Sequence, residues 1–135
     1  IKDLITRIAQ AVLQNMSRPD QTIRVSVEGV DFALPSQKAT SLALAANELI
    51  QNSVEHAFVG RKEGTIAVQL AEEPSRWCIT VQDDGVGVPD SAAHRLGLGI
   101  VEMLIVEDLR GEFTLTRKAG STALLCIPKA HEGLL

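Results

Sequence analysis

One acidic residue is predicted to face the interior of the protein beside a glycine-rich turn. The apolar residues of the alternating segment 77–83 share one face, and Asp83 has the same parity. A strand therefore aims the Asp83 carboxylate into the apolar layer, where an ionised group is costly unless it meets hydrogen-bond donors. Gly85 and Gly87 follow at once and allow a ligand to approach the backbone closely. Such an acceptor suits an exocyclic amino group like that of adenine, and a tight turn capped by the aspartate is the alternative.

A second glycine pair lies further along the chain, in the sequence Gly97-Leu98-Gly99. We expect these residues to open a helix, where unpaired N–H groups and the positive end of the helix dipole suit a phosphate group. His94 and Arg95 would add positive charge beside them. The chain contains neither a GxxxxGK[ST] motif nor a complete dinucleotide fingerprint, so these glycines alone are a weak signal.

Polar residues form a stripe along a long predicted helix. Glu48 and Asn52 are one turn apart, about 40° around the axis and about 6 Å along it, so both side chains point into the same space. Glu55 continues the stripe, and Gln51 and His56 flank it. A solvated helix face has the same spacing, and the stripe alone leaves both interpretations open.

The hydrophobic pattern predicts the elements that position these residues. Apolar residues recur every three or four positions in the ranges 1–18, 37–57 and 97–109, which predicts three helices. Ser36 is the predicted N-cap of the second helix. A short extended piece is predicted at 31–34. The clearest alternating segments, predicted as strands, are 22–28, 65–70, 77–83, 112–117 and 122–127.

The order of these elements is a helix followed by two strands, repeated along the chain. This order favours a two-layer α/β sandwich, with a mixed, mostly antiparallel sheet and helices on one face. Internal repeats and low-complexity segments are absent from the sequence, so residues 1–135 are expected to form a single domain. Because the chain begins at Ile1 inside a helical pattern, we expect it to be a piece of a longer protein.

The composition of the chain argues against nucleic-acid binding and against membrane insertion. The chain has 13 Lys and Arg residues against 17 Asp and Glu residues, a formal net charge of -4, which argues against a nucleic-acid partner. Apolar runs fall short of the roughly 20 residues that span a bilayer, so we expect a cytoplasmic segment without direct membrane insertion. Cys78 and Cys126 lie in apolar runs without CxxC spacing, and we expect both to be reduced packing residues.

Four motifs in sequence order resemble those of the GHKL, or Bergerat-fold, ATP-binding family of histidine kinases, type II topoisomerases, Hsp90 chaperones and MutL proteins. Residues 48–57 (ELIQNSVEHA) resemble its N box, and residues 83–89 (DDGVGVP) and 97–100 (GLGI) resemble its two glycine boxes. Residues 120–122 (GST) resemble the closing glycine-threonine turn. The likeness covers nearly the whole chain and, with a short lid that lacks an F box, is strongest to sensor histidine kinases of the HWE-like subclass.

The resemblance implies a role for individual residues. Asp83 would accept a hydrogen bond from the adenine amino group, and Thr122 would bond near the base and Asp83. Asn52 would supply an amide oxygen to Mg²⁺, a cation that takes few protein ligands besides phosphate oxygens. Glu48 would polarise water or shape the metal shell. The remaining ATP-binding positions implied by the boxes are His56, Gly85, Gly87, Arg95, Gly97, Leu98 and Gly99.

The activity implied by the resemblance is transfer of the γ-phosphoryl group of ATP to a histidine in two-component signal transduction. The histidines His56, His94 and His131 do not lie in a phosphoacceptor pattern. The acceptor is therefore expected on a dimerisation domain outside this chain, without which the chain would be inactive. The implied partners are that domain, a response regulator and a second copy in a full-length homodimer.

Two residues depart from the family pattern, and two other functions stay open. Glu55 stands where many histidine kinases have Lys or Arg, which reverses a charge near the expected phosphates. Ser53 replaces a common Ala, and we expect its hydroxyl to have no effect.

An anti-sigma-factor-type serine kinase shares the NxVEHA segment found here at residues 52–57. A degenerate, nucleotide-gated interaction module is the other alternative, suggested by Glu55.

Overall fold

The computed structural model describes residues 1–16, 18–58, 60–85, 92–117 and 120–129, and the side chains of residues 92–96 lie outside this description. The described elements, in chain order, are α1 (Lys2–Met16), β1 (Thr22–Gly29), α2 (Ser36–Asn52), β2 (Glu63–Glu72), β3 (Arg76–Asp83), α3 (Ala92–Met103), β4 (Glu112–Arg117) and β5 (Ser121–Pro128). Single π-helical turns continue α2 and α3 through Ser53–Ala57 and Leu104–Asp108. Among the described residues, none of the helices has the length and apolar composition needed to cross a bilayer.

The strands form one mixed sheet in the order β1-β2-β3-β5-β4. β1 pairs with β2 in parallel, and α2 provides the crossover that a parallel pair requires. The other three pairs are antiparallel. The predicted α/β sandwich with a mixed, mostly antiparallel sheet is confirmed. The segment 31–34 is not a strand; instead Phe32 stacks on Trp77 with ring centroids 4.5 Å apart.

The core lies between the sheet and the helices. α2 is central because its apolar stripe, which includes Leu42, Ala45 and Ile50, is buried. The strands supply the opposite wall through alternate residues, as expected for a sheet with one covered face. The fully buried residues of this wall include Ile66, Val68, Ile79, Leu125 and Ile127.

The structure corrects two predicted helix starts. Pro35, with φ −55° and ψ 149°, occupies the N-cap position of α2, and Ser36 is the first helical residue rather than the cap. α3 begins at Ala92 instead of Gly97. Ala is the strongest helix former, so the Ala92-Ala93 pair starts the helix before the glycines are reached.

The two cysteines are direct cross-strand partners in β3 and β5. Their Cα atoms lie 4.1 Å apart, and a disulfide joins Cys78 to Cys126. The prediction of two reduced cysteines is therefore wrong. Their parity places them on the sheet face opposite to the helices, where both are buried.

We expect this disulfide to be detectable chemically and to stabilise the fold. Alkylation of the denatured, unreduced protein should add no mass, because both sulfurs are bonded. Reduction should lower the free energy of unfolding by about 2–4 kcal/mol, since the bond closes a loop of 48 residues in the unfolded chain. Urea denaturation with and without reductant measures this, with the double variant C78A/C126A as a control that reductant leaves unchanged. Alkylation of both thiols before reduction would contradict the pairing.

Candidate functional site

Asp83 ends β3 with its carboxylate directed into the helix layer, and the residue is only 2% exposed. Oδ1 accepts hydrogen bonds from the backbone N–H groups of Gly85 and Ser121, both at 3.1 Å. Oδ2 accepts a hydrogen bond from the Ser53 hydroxyl, also at 3.1 Å. The predicted inward orientation is confirmed, and these donors meet the cost of burying the carboxylate.

A small cavity lies next to this carboxylate. Ser53 and Ser121, which both bond to Asp83, are part of its wall, and the full lining is Leu49, Asn52, Ser53, Val81, Leu98, Leu115, Ser121 and Ala123. Among the residues that the structure describes, buried Asn52 Nδ2 and Ser121 Oγ have no hydrogen-bond partner. The cavity measures about 20 Å³, which accommodates a water molecule but not a purine. A base can enter only if one wall moves, and half-buried Leu98 is the wall residue contributed by α3.

Glu48 and Asn52 converge on α3, as their spacing predicted. A Cβ atom placed on Gly97 would lie 3.2 Å from Glu48 Oε2 and 3.4 Å from Asn52 Nδ2. Gly97 therefore allows α3 to pack closely against both polar side chains. The structure thus brings together three of the predicted site residues at the helix α2–α3 contact.

The predicted helix start at Gly97 is wrong, whereas phosphate binding by Gly97, Leu98 and Gly99 stays a prediction. Because α3 begins at Ala92, the N–H groups of both glycines lie beyond the first turn, where helical hydrogen bonding uses them. Gly99 is exposed, and a Cβ atom there would meet no atom within 4 Å. The glycine is therefore not required at that position by local packing.

Two other glycines hold the backbone around Asp83. A Cβ atom on Gly85 would lie 2.2 Å from the carbonyl oxygen of Ala57, at the end of the π-helical turn after α2. Gly120 has φ +109°, and its Cβ atom would lie 2.2 Å from the carbonyl oxygen of Asp83. Gly85 was predicted to allow a ligand close to the backbone; here it allows a helix end and a strand end to meet.

The structure places Ser121, rather than its neighbour Thr122, beside Asp83. Ser121 is 5% exposed, donates its N–H to Asp83 and lines the cavity. Thr122 has the opposite parity in β5 and lies on the other face of the sheet, where it is the register partner of Gln82. In the structure Ala123, Leu125 and Ile127 are buried, and Ser121 shares their parity.

Of the remaining predicted residues, the structure describes His56. His56 is partly buried in the π-helical turn, with Nε2 3.8 Å from Glu55 Oε2. The Glu55 side chain is 55% exposed. Gly87 and the Arg95 side chain lie outside the described part of the chain.

Comparisons with known proteins identify the family of the chain. Residues 37–131 match the family model for the histidine kinase-, DNA gyrase B-, and HSP90-like ATPase. This match covers more than half of the chain, which therefore belongs to that family.

Two similar proteins are named as histidine kinases. The chain is 32% identical over 143 aligned positions to sensor histidine kinase PdtaS of Mycobacterium tuberculosis, a match that covers 100% of this chain and 28% of that kinase. It is 31% identical over 137 positions to blue-light-activated histidine kinase 2 of Erythrobacter litoralis, covering 96% of this chain and 38% of that protein.

A solved structure supports the same assignment. The histidine kinase domain of the Erythrobacter litoralis EL346 blue-light activated kinase superposes with a TM-score of 0.78 at 28% identity, over 92% of this chain and 58% of that one. The chain is an ATP-binding catalytic domain of the sensor histidine kinase type. It spans 28% of the length of PdtaS.

Proposed function

We propose that residues 1–135 form one catalytic domain that binds ATP with Mg²⁺ and transfers its γ-phosphoryl group to a histidine. The acceptor would lie on a dimerisation domain of the full-length, homodimeric protein, and a response regulator would receive the phosphoryl group next. The observation that carries this proposal is the Asp83 carboxylate, buried beside a cavity whose wall includes Asn52.

The hydrogen bonds of Asp83 support adenine as the base. Oδ1 already accepts two N–H groups, whereas Oδ2 accepts only the Ser53 hydroxyl among the described residues. A carboxylate oxygen has two lone pairs, so Oδ2 retains one for an exocyclic amino group. Guanine presents a carbonyl oxygen at the corresponding position, and two acceptors facing each other there would be repulsive.

The side chains at the α2–α3 contact fit a magnesium nucleotide. Glu48 and Asn52 offer a carboxylate and an amide oxygen on adjacent turns, the oxygen donors that Mg²⁺ takes from proteins. Asn52 would hold the cation through Oδ1, and Glu48 would orient its water shell. Bound there, Mg²⁺ would neutralise charge on the transferred phosphoryl group.

Calorimetric titration of the chain with ADP and GDP in the presence of Mg²⁺ tests nucleotide binding. We expect ADP to bind at least tenfold more tightly than GDP, because Asp83 Oδ2 accepts from an amino group and repels a carbonyl. Equal affinities, or no binding of either nucleotide, would count against the proposal.

The full-length protein tests the acceptor. After incubation with labelled ATP, we expect an acid-labile phosphohistidine. An acid-stable phosphoserine on a partner protein would instead support the serine kinase alternative.

Reversing the charge at Glu55 should have little effect on the affinity for ADP. The side chain is exposed, and salt at physiological concentration screens interactions between exposed charges. We therefore expect Glu55→Lys to change the dissociation constant by less than about threefold at 0.15 M salt. An improvement of tenfold or more would show that this side chain does weaken phosphate binding.

A further inference from the structure

We propose that Ser53 is a positioning residue that aims the Asp83 carboxylate at the nucleotide base and so contributes to selectivity for adenine. The inference rests on the proposed nucleotide binding. It starts from the 3.1 Å hydrogen bond in which Ser53 Oγ donates to Asp83 Oδ2. Both residues are buried, so this bond does not compete with bulk solvent. The expectation that the Ser53 hydroxyl has no effect is thereby reversed.

The backbone of Ser53 is held where its hydroxyl can make this bond. The residue begins the π-helical turn after α2, and its N–H donates to the carbonyl oxygens of Leu49 and Ile50. At the other end of the same turn, Ala57 packs against Gly85 so closely that a Cβ atom there would lie 2.2 Å from the Ala57 carbonyl oxygen. The π-helical turn therefore contacts the segment 83–85 at both of its ends, through Ser53 at Asp83 and through Ala57 at Gly85.

The two oxygens of Asp83 are held in different ways. Oδ1 is bonded by backbone N–H groups, which do not depend on the identity of the side chains that carry them. Oδ2 depends on a side-chain hydroxyl, and that hydroxyl disappears when Ser53 is replaced by Ala. Without it, Oδ2 either turns away from the cavity or recruits a water molecule in place of the base. Ser53 therefore sets the direction of the lone pair that the amino group would use.

This role predicts an effect that depends on the amino group of the ligand. We expect Ser53→Ala to weaken ADP binding about tenfold, the usual scale for a hydrogen bond to a charged group. Purine riboside 5′-diphosphate has no exocyclic amino group, and its affinity should change by less than about twofold. Calorimetric titration of the wild-type chain and of S53A with both ligands measures the difference.

Two further variants separate positioning from stability. S53T retains the hydroxyl and should recover most of the preference for ADP. S41A removes another hydroxyl from α2, one that bonds to Asp108 and not to the cavity, and should leave both affinities unchanged. If S53A does not fold, S53C keeps a similar volume with a weak donor and provides the same comparison.

The outcomes distinguish this inference from the proposed function. If the wild-type chain binds neither ligand, nucleotide binding itself is wrong. If it binds ADP and the alanine or cysteine variant loses affinity for both ligands equally, or for neither, then Ser53 does not position Asp83.

Discussion

Replacing Asp83 with Asn should abolish measurable ADP binding and leave the fold intact. The amide has the shape of the carboxylate, and its oxygen can still accept the N–H groups of Gly85 and Ser121. Its NH₂ group then faces Ser53, whose hydroxyl can turn to accept a hydrogen bond instead of donating one. The cavity therefore presents a donor where the adenine amino group requires an acceptor. We expect the dissociation constant to rise at least 100-fold, about 2.7 kcal/mol.

The neighbouring acid provides a matched control. Asp84 is exposed, and its Oδ1 accepts the N–H of Thr65 rather than facing the cavity. Asp84→Asn removes the same charge from the next position and should change ADP affinity by less than about twofold, because an exposed charge contributes little. Calorimetric titration and thermal unfolding of both variants make the comparison. ADP affinity preserved in D83N would contradict the adenine role of Asp83.

Gly120→Ala should both destabilise the protein and weaken nucleotide binding. Gly120 has φ +109°, a conformation that L residues rarely adopt, and its Cβ atom would lie 2.2 Å from the Asp83 carbonyl oxygen. The hairpin must then move away from β3 and carry the Ser121 N–H off Asp83 Oδ1. We expect a loss of about 3 kcal/mol or more in the free energy of unfolding. We also expect ADP affinity to fall at least tenfold, the scale of a lost hydrogen bond to a charged group.

A variant at Gly60 serves as a control that separates the steric clash at Gly120 from the cost of its backbone conformation. It has φ +78°, and a Cβ atom there meets no atom within 4 Å. Gly60→Ala therefore carries only the cost of the left-handed conformation, about 1 kcal/mol. Urea denaturation of the two variants isolates the contact with Asp83. Equal destabilisation by G60A and G120A would show that the close approach of Gly120 to Asp83 has no energetic consequence.

The alternation of residues in β3 made the orientation of Asp83 predictable. Ile79 and Val81 alternate with the polar residues Thr80 and Gln82, so the inward direction of Asp83 could be predicted from the sequence. β5 gave no such signal, because residues 124–127 are apolar at consecutive positions. A strand with apolar residues on both faces does not reveal its parity, and a shift of one residue exchanges the faces. The resemblance implied Thr122, and the apolar pattern of β5 does not show that Ser121 is the residue beside Asp83.

Other features depended on contacts between distant segments. Gly97 resembles a glycine at a helix start, yet it lies within α3, where the side chains of Glu48 and Asn52 are close to it. The Cys78–Cys126 pair follows from the antiparallel register of β3 and β5, and the sequence does not show this register between residues that are 48 positions apart. The hydrogen bond of the Ser53 hydroxyl was also not predictable from local sequence, since its partner Asp83 lies 30 residues away in β3.

A crystal structure of the chain with ADP and Mg²⁺ tests the central claim most directly. We expect the adenine amino nitrogen to lie about 3 Å from Asp83 Oδ2, the length of an N–H···O hydrogen bond, with Leu98 displaced to admit the base. An adenine ring bound elsewhere on the domain, or one whose amino group faces solvent, would contradict the account.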